Sequence, residues 1–147
     1  LRVCLMKRMK LPGVIDNLAL LIAMVSECAR QEGFSQERVS ELEVAVEEAL
    51  TNICFHAYDE AIGEVEVRCF PADENDRLLV EIIDSGKAFN PLSAPEPILT
   101  PHIEQRDVGG LGIFFIRKMS DQVEYSRFEN QNLLSLTFYK AQKNKTY

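Results

Sequence analysis

Gly63 divides this chain into two halves with different hydrophobic periods. Upstream, apolar residues recur at helical spacing; downstream they alternate or run in short blocks bounded by turn residues. Val14 to Glu32 carries Leu18, Leu21, Ile22, Val25 and Cys28 or Ala29 on one stripe. Gly33 supplies a helix stop. Ser35 can cap a second helix, with Glu37 in the first turn, where the helix dipole favours an anion. That helix runs to about Ala57, with Val39, Leu42, Val46, Ala49, Leu50 and Ile53 on its apolar face.

Downstream, Glu64 to Phe70 alternates, with Val65 and Val67 facing one way and Glu66 and Arg68 the other. Pro71 to Asp76 reads as a turn, and Leu78 to Ile83 as a strand. Residues 85–108 form a long loop containing Pro91, Pro95, Pro97 and Pro101. In a compact domain such a loop serves as a lid or binding loop, so Leu92 to Val108 is expected to be a mobile lid. Leu111 to Met119 reads as a short helix. Gln122 to Phe128 and Leu133 to Tyr139 read as strands joined by the polar turn Glu129–Asn132. Residues 1–10 are suited to an edge strand. Hairpin-linked strands with segregated helices predict an α+β fold: a two-layer α/β sandwich whose mixed, mostly antiparallel sheet is covered on one face by helices.

The chain has 147 residues, the size of a single domain with its own apolar core. Its net charge of −7 argues against a nucleic-acid partner, which needs clustered Lys and Arg, but leaves room for a local anion site. Cys4, Cys28, Cys54 and Cys69 form no C-x-x-C pair and sit among apolar neighbours, as reduced buried thiols do. No apolar run reaches the roughly 18 residues of a membrane span, and no signal peptide is visible. A cytoplasmic protein with no membrane association is the expectation.

Three segments carry candidate chemistry. In Glu47-Glu48-Ala49-Leu50-Thr51-Asn52, Glu48 and Asn52 stand one helical turn apart on one face. A carboxylate and an amide oxygen suit Mg²⁺ with its ordered waters, although a solvated helix face has the same composition. Asp84 ends an apolar strand, where a carboxylate is costly unless it accepts hydrogen bonds, such as one from an aminopurine. Gly86 permits a close turn beside it; the ordinary alternative is a strand-ending Asp-Ser-Gly turn. Gly109-Gly110-Leu111-Gly112 precedes a helix, presenting backbone N–H groups to an anion, or else forming a hinge. Neither a Walker loop nor a dinucleotide-binding fingerprint is present.

Taken together, E-E-A-L-T-N-I-C-F-H-A-Y at 47–58, D-S-G-K-A-F-N-P at 84–91 and G-G-L-G-I-F-F-I-R-K-M-S-D-Q-V-E-Y at 109–125 resemble the ATPase superfamily of gyrase, heat-shock chaperone, histidine kinase and mismatch-repair proteins. Within it they look like the anti-sigma-factor serine/threonine kinases of bacterial partner-switching systems. The resemblance implies ATP and Mg²⁺ bound between helices and sheet. It makes Asn52 the Mg²⁺ ligand, Glu48 the general base and Asp84 the adenine acceptor. Gly86 would shape the adenine pocket, Gly110 and Gly112 would contact phosphates, and Arg106 would assist at the γ-phosphate. Ser135 or Thr137 is a further candidate near the base. The implied partners are a sigma factor and a small antagonist protein with a phosphorylatable Ser or Thr, and the family commonly forms homodimers. Two other functions compete: the catalytic domain of a sensor histidine kinase, and an ATP-binding switch that transfers no phosphate.

Overall fold

The computed structural model describes residues 5–58, 61–72, 76–93 and 108–141; for 108–110 only the backbone is described. Five strands form one sheet in the order β1-β2-β3-β5-β4. They are β1 (Lys7–Pro12), β2 (Glu64–Ala72), β3 (Arg77–Asp84), β4 (Gln122–Phe128) and β5 (Gln131–Tyr139). Three helices accompany them: α1 (Leu18–Gln31), α2 (Gln36–His56) and α3 (Val108–Met119).

Strand and helix periods match the hydrophobic pattern. Val65, Val67 and Cys69 of β2 and Leu78, Val80 and Ile82 of β3 share the buried face with Leu134, Leu136 and Phe138 of β5. Leu21, Val25 and Cys28 of α1 and Leu42, Val46 and Leu50 of α2 pack against this layer. Each large aliphatic side chain so buried contributes roughly 1.5–3 kcal/mol. The opposite face of β1 and β2 is laced by charges: Arg8 pairs with Glu66 at 3.3 Å and Lys10 with Glu64 at 3.3 Å. Cys28 and Cys69 are buried free thiols that share a hydrogen bond, which lowers the Cys28 pKa and, with burial, raises that of Cys69. Cys54 is a free, half-buried thiol; Cys4 lies outside the described residues.

Local signals set the helix ends. Gly33 has φ +86°, a left-handed turn that a side chain would strain. Ser35 Oγ accepts a 3.2 Å bond from the Arg38 N–H, capping α2. The buried Arg38 guanidinium ties that end of α2 to the sheet. It donates to the Tyr139 carbonyl (3.0 Å) and to Asp121 (2.5 Å), and pairs with Glu41.

Several expectations need correction. Every described strand pairing is antiparallel, so the sheet is not mixed. The segment after β3 crosses through α3 to the far edge, and β5 returns between β4 and β3. Strand β4 thus runs parallel to β3 but is not paired with it, since β5 lies between them. The edge strand begins later than expected, at Lys7, and a 3-10 turn over Ile15–Asn17 precedes α1. Helix α3 starts at Val108, so Gly109, Gly110 and Gly112 lie within its opening turns rather than in a loop before it. Strand β2 extends through Pro71 and Ala72. The last hairpin turns on Glu129 (φ 47°) and Asn130 (φ 64°) alone, which puts Asn132 inside β5.

Candidate functional site

Helix α2 buries one stripe on the sheet and presents the next towards α3. Glu48 and Asn52 fall on that second stripe, both half-buried. A Cβ built on Gly112 would lie 2.7 Å from Glu48 Oε2, so the opening of α3 rests against this carboxylate. Burial raises the Glu48 pKa, and the neighbouring Glu47 charge raises it further. Such a group can exchange protons closer to neutral pH than an ordinary glutamate. Glu47 itself is exposed.

Asn52 lines a cavity of about 40 Å³ with Asp84 of β3, Asn132 and Leu134 of β5, Ile116 of α3 and Phe89. All three segments singled out in the sequence therefore meet at one end of the sheet. Asp84 is 5% exposed, and its Oδ1 accepts from the Gly86 N–H (2.9 Å) and from Asn132 Nδ2 (3.0 Å). These bonds offset the cost of burying its charge. Gly86 packs against the end of α2: a Cβ there would fall 2.3 Å from the Ala57 carbonyl oxygen. The Lys87 N–H donates to that same oxygen at 3.1 Å. Tyr58, the last residue of the α2 motif, donates to the Glu64 carbonyl (2.9 Å) and accepts from the Ser85 N–H (2.9 Å). Its ring lies over Gly63, whose Cβ would sit 1.8 Å from the ring. The glycine that divides the sequence thus makes room for the residue that pins the Asp84 loop.

Asn132 was not singled out in the sequence. It faces Asp84 across the β3–β5 ladder. Its Oδ1 accepts from Tyr125 OH (2.5 Å) and Arg127 (3.1 Å), and its Nδ2 also donates to the Lys87 carbonyl (2.9 Å). Arg127 reaches on to the Gly86 carbonyl at 2.8 Å. Ser135 and Thr137 project from the other face of β5, because side chains alternate and Asn132 and Leu134 occupy the cavity side. The only signal for Asn132 was its register with Asp84, which needs the exact hairpin turn. Gly110 and Gly112 stand in the opening turns of α3, where the first N–H groups have no intrahelical partner. Arg106 and most of the Leu92–Val108 segment lie outside the described residues.

The donor set suits a nucleotide with a hard cation. Asn52 offers a side-chain oxygen to the cavity, and Mg²⁺ commonly takes only one or two protein oxygens, the rest coming from water and phosphate. Among the described residues no cluster of three or more His, Cys, Asp or Glu side chains could hold a metal alone. No described helix is long and apolar enough to cross a membrane.

A helix-covered antiparallel sheet with Asn52, Asp84 and a glycine-opened helix at one end has the build of an ATP-binding domain. The chain belongs to the histidine kinase-like ATPase domain family, which it matches over residues 11–138. It is similar to the serine-protein kinase RsbW of Bacillus mycoides, with 29% identity over 131 residues that cover 86% of this chain and 80% of that protein. The serine-protein kinase RsbW of Bacillus thuringiensis is 30% identical over the same length and coverage. The fold resembles the crystal structure of the RsbU and RsbW domains of a Mycobacterium tuberculosis protein. There the TM-score is 0.65 at 14% identity, covering 92% of this chain but only 32% of that one. It also resembles the histidine kinase domain of a blue-light activated kinase from Erythrobacter litoralis, with TM-score 0.55 and 17% identity, covering 88% of this chain and 61% of that one.

Proposed function

We propose that this chain is an ATP- and Mg²⁺-dependent protein serine/threonine kinase that acts as an anti-sigma regulatory factor. Its acceptor is a small antagonist protein bearing a phosphorylatable Ser or Thr. The likeness to serine-protein kinases named RsbW over 86% of the chain supports this reading. The observation that carries it in the structure is the meeting of Asn52, Asp84 and Asn132 around one cavity, with Glu48 against Gly112 beside it. The sigma factor as second partner, a homodimeric state and a cytoplasmic location belong to the same proposal.

In this reading Asp84 Oδ2 accepts the adenine 6-amino group, and Gly86 keeps the loop tight enough to bring the carboxylate to the base. The backbone at Gly110 and Gly112 would contact the phosphates, and Arg106 would assist at the γ-phosphate. Asn52 would hold Mg²⁺, which would neutralise phosphate charge. Glu48 accepts the proton of the incoming Ser or Thr hydroxyl as the hydroxyl oxygen attacks the γ-phosphorus, the bond from that phosphorus to the β–γ bridging oxygen breaks, and ADP leaves with the bridging oxygen. Catalysis then consists of positioning and charge stabilisation, with no covalent enzyme intermediate.

The test is a calorimetric titration of ATP with and without Mg²⁺, followed by incubation with ATP and a candidate antagonist. Phosphoserine or phosphothreonine on that partner is the expected product, read by mass spectrometry. Absence of binding at millimolar ATP would sink the proposal. Binding without transfer to any antagonist would leave an ATP-dependent switch in its place.

A further inference from the structure

We propose that Asn132, held by Tyr125 and Arg127, selects adenine over guanine at Asp84; this rests on reading Asp84 as the acceptor for the base. The orientation of the Asn132 amide is settled by partners that act in one sense only. Arg127 is only a donor, so the oxygen faces it at 3.1 Å. Asp84 Oδ1 (3.0 Å) and the Lys87 carbonyl (2.9 Å) are only acceptors, so the nitrogen faces them. Both Nδ2 hydrogens are thereby used. Tyr125 OH adds a 2.5 Å bond to the amide oxygen.

The consequence falls on Asp84. Each carboxylate oxygen offers about two acceptor positions. Those of Oδ1 are taken by the Gly86 N–H at 2.9 Å and by Asn132 Nδ2. Oδ2 is what remains for a ligand. Adenine needs one such oxygen, for a single N–H of its 6-amino group. Guanine offers its N1–H and 2-amino group side by side, and that pair requires both oxygens of a carboxylate. Its O6 would also need a donor, and Asn132 has no hydrogen to spare. Asn132 therefore turns a bidentate acceptor into a monodentate one. Arg127, anchored on the Gly86 carbonyl at 2.8 Å, and Tyr125 are positioning residues that keep the amide from turning over.

The experiment compares the Kd values of ATP and GTP, each with Mg²⁺, for the whole chain and three variants, with folding followed by circular dichroism. The unaltered protein prefers ATP. Asn132→Ala frees Oδ1, and the ATP-over-GTP ratio drops by about tenfold, the worth of one charge-assisted hydrogen bond. Arg127→Ala and Tyr125→Phe lower the ratio less, because each releases one of three donors to the amide oxygen, the third being the Phe89 N–H at 3.4 Å. A merely structural role would weaken both nucleotides together and leave the ratio unchanged; that result in folded Asn132→Ala overturns the proposal. Should Asn132→Ala fail to fold, the ratio in Arg127→Ala decides, since this surface side chain can be removed without opening the core. If the unaltered protein binds neither nucleotide, the base-site reading itself fails, an outcome distinct from an unchanged ratio.

Discussion

Gly112 and Glu48 face each other so closely that a methyl group on Gly112 would stand 2.7 Å from Glu48 Oε2. The contact couples the opening of α3 to the proposed base on α2. Only the flexible end of Glu48 is in the way, so the fold tolerates an added methyl, and the carboxylate is what shifts. Gly112→Ala is therefore expected to keep or raise stability, by up to about 1 kcal/mol from helix propensity, and to lower phosphoryl transfer by up to about 10²-fold, a penalty that misplacing a reacting group by an ångström can carry. Single-turnover transfer to the antagonist, set beside a thermal melt, checks this; a wild-type rate would mean that the carboxylate position is immaterial.

Glu48→Gln keeps the shape of the side chain and removes the base. Transfer is expected to fall roughly 10²–10⁴-fold while ATP affinity holds. Glu47→Gln serves as the control, because Glu47 points about 100° away around the helix. Equal losses in both variants would reassign the effect to overall charge.

The raised pKa of Glu48 has two signs to observe. As a base it must be ionised, so the transfer rate should fall on the acid side with an inflection above the ordinary glutamate range. For stability, the folded state holds this proton to higher pH than the unfolded chain. Stability therefore declines as pH rises from the unfolded to the folded pKa of this group. Glu48→Gln removes that decline, so its melting temperature should exceed that of the unaltered protein at neutral pH and converge with it in acid. Parallel melting curves across this range would contradict the assignment.

Asp84→Asn takes the charge from a site that is 5% exposed. Loss of the charge-assisted bond to the base should weaken ATP binding by about 1.5–3 kcal/mol. The Gly86 N–H and Asn132 Nδ2 lose the same acceptor oxygen if the new amide turns its nitrogen towards them, so the loop over 85–87 should loosen as well. Calorimetry measures the first effect and amide hydrogen exchange the second.

Arg38 and Asp121 give a prediction about stability alone. Both side chains are 5% exposed, and they meet at 2.5 Å. Arg38→Met leaves the Asp121 carboxylate buried without its cation and should cost about 3–5 kcal/mol. The pair joins the start of α2 to the bend just before β4, at residues that do not line the nucleotide cavity. Chemical denaturation is the measurement, and ATP affinity below the transition should stay the same.

The sequence by itself determined most of the elements and the segments from which the candidate site is built. Helical spacing from Leu18 to Ala29 and from Val39 to Ile53, and alternation at Val65 and Val67, are set by which face each residue must bury, and that pattern is local. Ser35 and Gly33 marked helix ends for equally local reasons. Glu48, Asn52 and Asp84 were legible because their motifs are short and contiguous. What only the tertiary structure decided depends on register and close approach. Two residues with positive φ, Glu129 and Asn130, make a two-residue turn without any glycine, and this moves Asn132 from a loop to the position opposite Asp84. The same register turns Ser135 and Thr137 to the other face, since one step along a strand reverses a side chain. Helix α3 begins at Val108 despite three glycines in its opening turns, although each glycine lowers intrinsic helix stability by about 1 kcal/mol. Packing of the helix against α2 outweighs that preference, with Ile116 buried in the core and Gly112 against Glu48. Propensity is written residue by residue, whereas packing exists only once distant segments have met.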